Sequence, residues 1–365
     1  MSRALSIAAA VAGLATGSTL ACSNSSGPSA DSPTAAAATL AFPTLTPQSS
    51  GTTNRLQAVS PVNDQVVWAS GTGSTFVVTT DGGRTWRSGV VPSVRTLEFR
   101  DVEGISAKEA YLMAAGPGAA SRVYKTTNGG KSWVLQFKNR REKAFYDCFA
   151  FWTPDRGITM SDAVNGVFPV IRTLNGETWN FIGGKLPAAQ PGEAAFAASG
   201  TCVATQGTSQ AWIGTGGAAK ARILRTTDGG NTWRAFNTPI VQGTPASGIF
   251  TVAFRNASDG ILAGGDLEHP DEHSKNVAVS NDGGRTWQLV AGTPFTGAAY
   301  GLSYAHGSRP RTVVITGPKG AAWSSDEGES WHTLAGVENY WAVAFANPKA
   351  GWLVGTDGRI LKVSF

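Results

Sequence analysis

Charged residues make up only 15% of the 365 positions, and the 30 Lys and Arg that leave a formal net charge of +5 are scattered along the chain. Nucleic-acid recognition needs a concentrated basic footprint, so no nucleic-acid partner is expected. Histidine is scarcer still, at 4, too few to support a Ser-His-acid constellation above chance. No long helical periodicity is present, so the many Gly-rich turns have no helix N-terminus behind them to cradle a phosphate. A nucleotide-dependent oxidoreductase is thereby disfavoured, and no cofactor is expected. What the chain does have is 45 Gly and 41% hydrophobic residues, the composition of a large all-β domain with many turns.

One short motif recurs. It reads Asp81-Gly82-Gly83-Arg84-Thr85-Trp86, then Asn128-Gly129-Gly130-Lys131-Ser132-Trp133, Asp228-Gly229-Gly230-Asn231-Thr232-Trp233 and Asp282-Gly283-Gly284-Arg285-Thr286-Trp287. Two looser copies, Asn175-Gly176-Glu177-Thr178-Trp179 and Asp326-Glu327-Gly328-Glu329-Ser330-Trp331, complete the set. The tryptophans step by 47, 46, 54, 54 and 44 residues, the period of a four-stranded propeller blade. Each copy lies between β-rich runs, as a hairpin turn does. The Asp or Asn side chain can accept backbone amides, Gly supplies positive φ, and the Trp has apolar area to bury between blades. These residues are therefore read as structural.

The pattern from Thr79 to Trp86 and from Ser280 to Trp287 matches the Asp-box of sialidase-like propellers. The repeated motif with its closing Gly355-Thr356-Asp357-Gly358-Arg359-Ile360-Leu361-Lys362 resembles the photosystem II stability/assembly factor family and its bacterial relatives, over about residues 50 to 365. The resemblance implies a propeller with a non-enzymatic, protein-binding or complex-assembly role.

Six boxes define six blades. After Trp331 three strands remain, at Trp341–Phe345, Gly351–Val354 and Ile360–Phe365. A strand from Thr39–Phe42 pairing with the C-terminal one would complete a seventh blade and remove an open sheet edge. The expected fold is all-β, a seven-bladed propeller over residues 40–365.

Residues 1–21 read as an export signal: Arg3, then an apolar run from Ala4 to Leu14, then small residues to Ala21. Cys22 is expected to carry a lipid that anchors the chain to a membrane, followed by a Ser/Ala/Pro-rich tether over 22–39. Thr19 departs from the usual Leu of such signals, and ordinary cleavage after Ala21 is the alternative. The chain would then be periplasmic or at the cell surface, with a protein partner in the cell envelope. Export also makes a disulfide between Cys148 and Cys202, on neighbouring inner strands, one outcome; two buried thiols are the other.

A binding site is expected on the face opposite the boxes, where loops are held by rigid strands. The polar candidates there are Asp147 beside Tyr146, Asp162 and Asn165, Glu193 and Ser199, and Asp266 with Lys275. The run Asp266 to His273 contains His269 and His273, but an acidic, Pro-interrupted loop reads as a solvated surface, and no metal is expected. The alternative function is a glycan-active hydrolase. It would need converging arginines, from Arg100, Arg156, Arg172 and Arg255, or facing carboxylates such as Asp147 with Glu193 or Asp266.

Overall fold

The computed structural model describes Phe42–Phe365 apart from residues 93, 95, 184 and 308–310. The export segment, the tether and Cys22 lie outside the described residues. Seven antiparallel sheets of four strands each form the blades of a propeller. Blade 1, for example, runs Leu56–Pro61, Val67–Gly71, Thr75–Thr79 and Arg87–Val90 from the channel outwards. In blades 1 to 6 the box is the turn between the third and fourth strands. The inner strand of blade 2 lies at Phe99–Gly104.

The ring closes in blade 7, where Thr44–Ser49 is the outer strand and pairs antiparallel with Arg359–Ser364. The closing strand was expected at Thr39–Phe42 and is displaced along the chain. Pro47 lies in it, opposite Leu361, which an edge strand tolerates because one row of its amides needs no partner. Phe42 instead lies edge-on to Trp323 and His332.

The core lies between blades rather than within one. Ala58, Trp68 and Phe76 of blade 1 pack against Phe99, Leu112 and Tyr124 of blade 2, and the same layering recurs around the ring. Apolar residues on both faces of each inner sheet explain why the second and third strands are almost continuously buried.

Each box is closed by its own side chains. Asp81 Oδ1 accepts from Thr79 Oγ1 at 2.8 Å and from the Thr85 amide at 2.9 Å, while Oδ2 accepts from Thr85 Oγ1 at 2.6 Å. These donors, Thr85 first, draw the Asp81 carboxyl down to about 2. Asp228 and Asp282 also fall to about 2, because the same kinds of donor outweigh partial burial. Gly82 and Gly83 take φ of 70° and 86°, which a side chain would strain.

A second function of the box is to join blades. The turn aims the carbonyl of its first Gly at the preceding blade, and a side chain there donates to it. Gly82 O receives Lys362 Nζ at 3.1 Å; Gly129 O receives Arg87; Gly176 O receives Gln136 Nε2 at 2.8 Å and Tyr111 Oη at 3.0 Å. Gly229 O receives Arg172 Nη1 at 2.5 Å and Gly283 O receives Trp212 Nε1 at 2.7 Å. The sixth box has Glu327 at this position, at φ 61°. Here the carboxylate makes the joint, accepting from Arg255 Nε of blade 5 at 2.8 Å. Ion pairing thus offsets a left-handed residue that costs about 1 kcal/mol.

The box tryptophans are buried or half-buried, and five of the six indoles find an acceptor. Trp86 and Trp179 donate to the Gln48 and Gln136 side chains of the preceding blades. Trp233 and Trp287 donate to carbonyls in their own boxes, and Trp331 to Ala291 O. Trp133 Nε1 is buried without a partner.

Gln48 holds the closing seam, its Oε1 accepting both Trp86 Nε1 at 3.0 Å and Trp352 Nε1 at 3.2 Å. Gln48→Ala leaves two indole donors unpaired, at a cost of about 2–4 kcal/mol. On a domain of this size that lowers the melting temperature by about 3–6 °C. Calorimetry against Lys349→Ala, an exposed neighbour, checks this; equal melting temperatures would refute the seam's role.

Candidate functional site

Inner strands of five blades carry a β-bulge at the same end. The register slips around Gln57, Arg100, Asp147, Phe250 and Trp341. A bulge re-aims the extra side chain. Arg100, Phe250 and Trp341 line one cavity of about 200 Å³ at the channel mouth, with Phe196, Ala197, Ala198, Leu267 and Tyr300. Leu267 comes from the insertion after the second strand of blade 5, so this mouth is on the face opposite the boxes.

An aromatic arc forms one side. Ring centroids of Phe196 and Phe250 are 4.3 Å apart, those of Phe250 and Tyr300 5.9 Å, and those of Tyr300 and Trp341 4.9 Å. The Arg55 guanidinium lies over Trp341, 4.3 Å from the ring centroid. Arg100 makes two bonds to Glu98 Oε2, at 2.7 and 3.0 Å, and donates to Ala197 O at 3.2 Å. With the Asp147 and Asp162 carboxyls, every blade supplies a side chain to this region.

The channel is not open below the mouth. The inner strand of blade 4 is only Val203–Gln206, and the chain before it crosses the channel. Ser199 Oγ donates to Tyr300 O of blade 6 at 2.6 Å. A Cβ on Gly200 would lie 2.4 Å from Asp101 Oδ1 of blade 2, so only glycine allows this approach. The crossing segment, Phe196 to Thr201, separates the mouth from a second cavity of about 260 Å³ lined by Asp101, Glu103 and Phe149. Asp101 Oδ2 accepts the Phe149 amide at 2.8 Å and braces blade 2 to blade 3. Desolvation pushes the Glu103 carboxyl up to about 7.

Of the expected site residues, Asp147 and Asp162 meet. Burial raises both, Asp162 to about 6 and Asp147 well above the usual carboxylate range, and the neighbouring Asp162 charge raises Asp147 further. Asp162 Oδ1 accepts the Ala195 amide at 3.0 Å, which favours its ionised form. Asp147 Oδ2 has no donor directed at it, as suits the protonated partner. Asn165, at φ 53°, is an exposed residue of the tight turn between Val164 and Val167.

Other candidates are consumed elsewhere. Tyr146 is not at the mouth; strand alternation turns it from Asp147 into the core against Phe137. Glu193 is fully buried and bonded to Arg222, with Thr215 Oγ1 and the Gln190 amide as further donors. Asp266 accepts from Thr244 Oγ1 and His269 Nδ1, both at 3.0 Å, and anchors its loop. Lys275, at φ 53°, is exposed and makes no ion pair with Asp266. His273 contacts Asp271 O and not His269. Among the described residues no group of three His, Cys, Asp or Glu side chains is placed to hold a metal. Arg156 and Arg172 lie by the box of blade 4, and Arg255 is joined to Asp259 and Glu327, so these arginines do not converge with Arg100. Cys148 and Cys202 are bonded, their Cα atoms 5.9 Å apart, which links blades 3 and 4 beneath the mouth.

Sequence reasoning missed Arg55, Phe250, Tyr300 and Trp341. Small residues precede Tyr300 in Thr296-Gly297-Ala298-Ala299-Tyr300, but Arg55, Phe250 and Trp341 follow Asn54, Ile249 and Tyr340, so no shared pattern marks the four.

Raised carboxyls favour the fold at low pH and lose that contribution as pH rises through their folded values. Asp147→Asn removes the like charge facing Asp162. The fall in melting temperature between pH 4.5 and 7.5 should therefore shrink by about 2–4 °C in the variant. An unchanged pH dependence in thermal scans would contradict the mutual influence of these two carboxyls.

No protein-family model matches the sequence, and no curated protein matches it. Solved structures do resemble it. One described as YCF48 bound to D1 peptide aligns with a TM-score of 0.61 at 15% identity, covering 88% of this chain and 97% of that one. YCF48 from Cyanidioschyzon merolae aligns with a TM-score of 0.61 at 16% identity, covering 88% of this chain and 98% of that one. The chain therefore shares the seven-bladed fold of the photosystem II assembly factor that the box sequences resemble.

Proposed function

We propose that the protein is a non-enzymatic docking module of the cell envelope, anchored by lipid at Cys22, whose mouth receives an exposed segment of a protein partner. The arc from Phe196 to Trp341, flanked by Arg55 and Arg100, carries this reading. Rigid aromatic rings beside guanidinium groups are the side chains that supply most binding energy at protein interfaces. The crossing segment gives the cavity a floor, so the mouth suits a side chain or chain end rather than a threaded polymer. A structure of similar fold is described with a peptide bound, which favours the same mode here. Two of the carboxylates that a glycosidase would use are engaged in bonds within the fold, Glu193 with Arg222 and Asp266 with Thr244, and the third, Asp147, is buried.

The test is co-purification from native membranes after mild crosslinking. Leu267→Asp and Trp341→Ala should each reduce recovery of a stoichiometric partner about tenfold, a loss of about 1.4 kcal/mol. Undiminished recovery in both variants, or bound glycan with no protein, would overturn the docking reading. The anchor is tested separately: Cys22→Ser should move the protein from the membrane to the soluble fraction, and continued sedimentation with membranes would exclude a lipid at that residue.

A further inference from the structure

Four blades place a cation at the same register position of the third strand, reaching towards the next box: Lys125, Arg172, Arg225 and Lys362. Three are satisfied there. Lys125 Nζ bonds Glu177 Oε1 at 2.6 Å, Arg172 Nη1 bonds Gly229 O and Asn231 Oδ1, and Lys362 Nζ bonds Gly82 O. Arg225 is the exception. The carbonyl at the equivalent position, Gly283 O, is bonded instead by Trp212 Nε1.

Among the described residues Arg225 consequently forms no ion pair. Its one hydrogen bond is from Nη2 to Gln210 Oε1, at 3.4 Å, and its Nε is buried with no partner. Other cations surround it. Arg234 is its direct cross-strand neighbour, a like-charge pairing that is unfavourable by itself. Arg285, the variable residue of the next box, is close enough to lower the Arg225 pKa further once burial has done so. The one carboxylate nearby is Asp282. It accepts from Ser280 Oγ, the Arg285 and Thr286 amides and Thr286 Oγ1, so its lone pairs are engaged by its own box.

Between the two guanidinium groups lies a groove of about 560 Å³. Its remaining wall is Ser209, Gln210, Thr227, Ser258 and Asn281, hydroxyl and amide groups able to donate hydrogen bonds, with Ala257 and the Asp282 carboxylate whose oxygens face their own box. We propose that this groove between blades 4 and 5 binds a phosphate or sulfate group, clamped by Arg225 and Arg285. A tetrahedral oxyanion offers three or more acceptor oxygens, enough for two planar guanidinium groups and hydroxyl donors at once, whereas a carboxylate offers two. Arg225 serves no blade-to-blade joint, so the site is independent of the mouth and of the ring's closure.

Calorimetric titration of the purified protein at low ionic strength tests this, with inorganic phosphate, inorganic sulfate, glycerol 3-phosphate and acetate as probes. Saturable binding of a tetrahedral anion is expected below about 10 mM, weakened at least tenfold by Arg225→Gln or by Arg285→Gln and unaffected by Lys108→Gln, an exposed cation elsewhere. Tighter binding of glycerol 3-phosphate would assign the site to esterified phosphate, and tighter binding of the inorganic ions to a free anion; both support it. Acetate binding equally well, binding unchanged in both arginine variants, or no binding at about 20 mM, would overturn it. Matching circular dichroism spectra of the variants and the native protein confirm that both variants remain folded.

Discussion

A glycine carbonyl, in five of the six boxes, is the contact on which this ring depends. A tight turn with two residues at positive φ exposes a backbone acceptor, and the preceding blade meets it with whatever donor that blade has available. Lysine, arginine, glutamine, tyrosine and tryptophan all serve. Because the acceptor is backbone, its position repeats even when the donor changes. Where Glu327 replaces the glycine, a carboxylate performs the same task. At the six seams that carry a box the joint is one or two hydrogen bonds, about 1 kcal/mol each, set against a much larger apolar layer between blades. Its value is directional: it fixes the angle at which each apolar layer packs.

With the outer edges joined in this way, the inner strands are free to vary. Bulges at Gln57, Arg100, Asp147, Phe250 and Trp341 redirect side chains into the channel region without disturbing the outer three strands. The crossing segment from Phe196 to Thr201 replaces most of one inner strand, and the Cys148–Cys202 bond holds its far end against blade 3. A rigid ring, a blocked channel and an aromatic mouth together are the features on which the proposed docking rests. The Asp147–Asp162 pair, bracing blade 3 to Ala195, lies beneath it.

Much of this architecture was legible in the sequence, because the box has a composition dictated by backbone geometry and recurs at blade spacing. Blade number, the box's place in a hairpin turn, and closure by an N-terminal strand are all legible from that spacing. The closing strand was misplaced because Thr44–Ser49 contains Pro47 and polar residues and reads like tether; only an outer edge position makes that composition acceptable. The site was less legible. Bulges leave no mark on hydrophobic alternation, and acids such as Glu193 and Asp266 look available until their partners, Arg222 and Thr244, arrive from distant positions in the chain. The Ala- and Gly-rich segment before Cys202 reads as a loop because small side chains are what allow it to cross a channel.

The central claim is that partners dock at the mouth and not on the box face. Photo-reactive residues introduced singly at Leu267 and Phe196 at the mouth, and at Asn128 and Ser258 on the box face, would be activated in the native host. Crosslinked protein of one defined mass from the mouth positions alone is the expected result. Adducts from the box-face positions alone, or none from either mouth position, would contradict it.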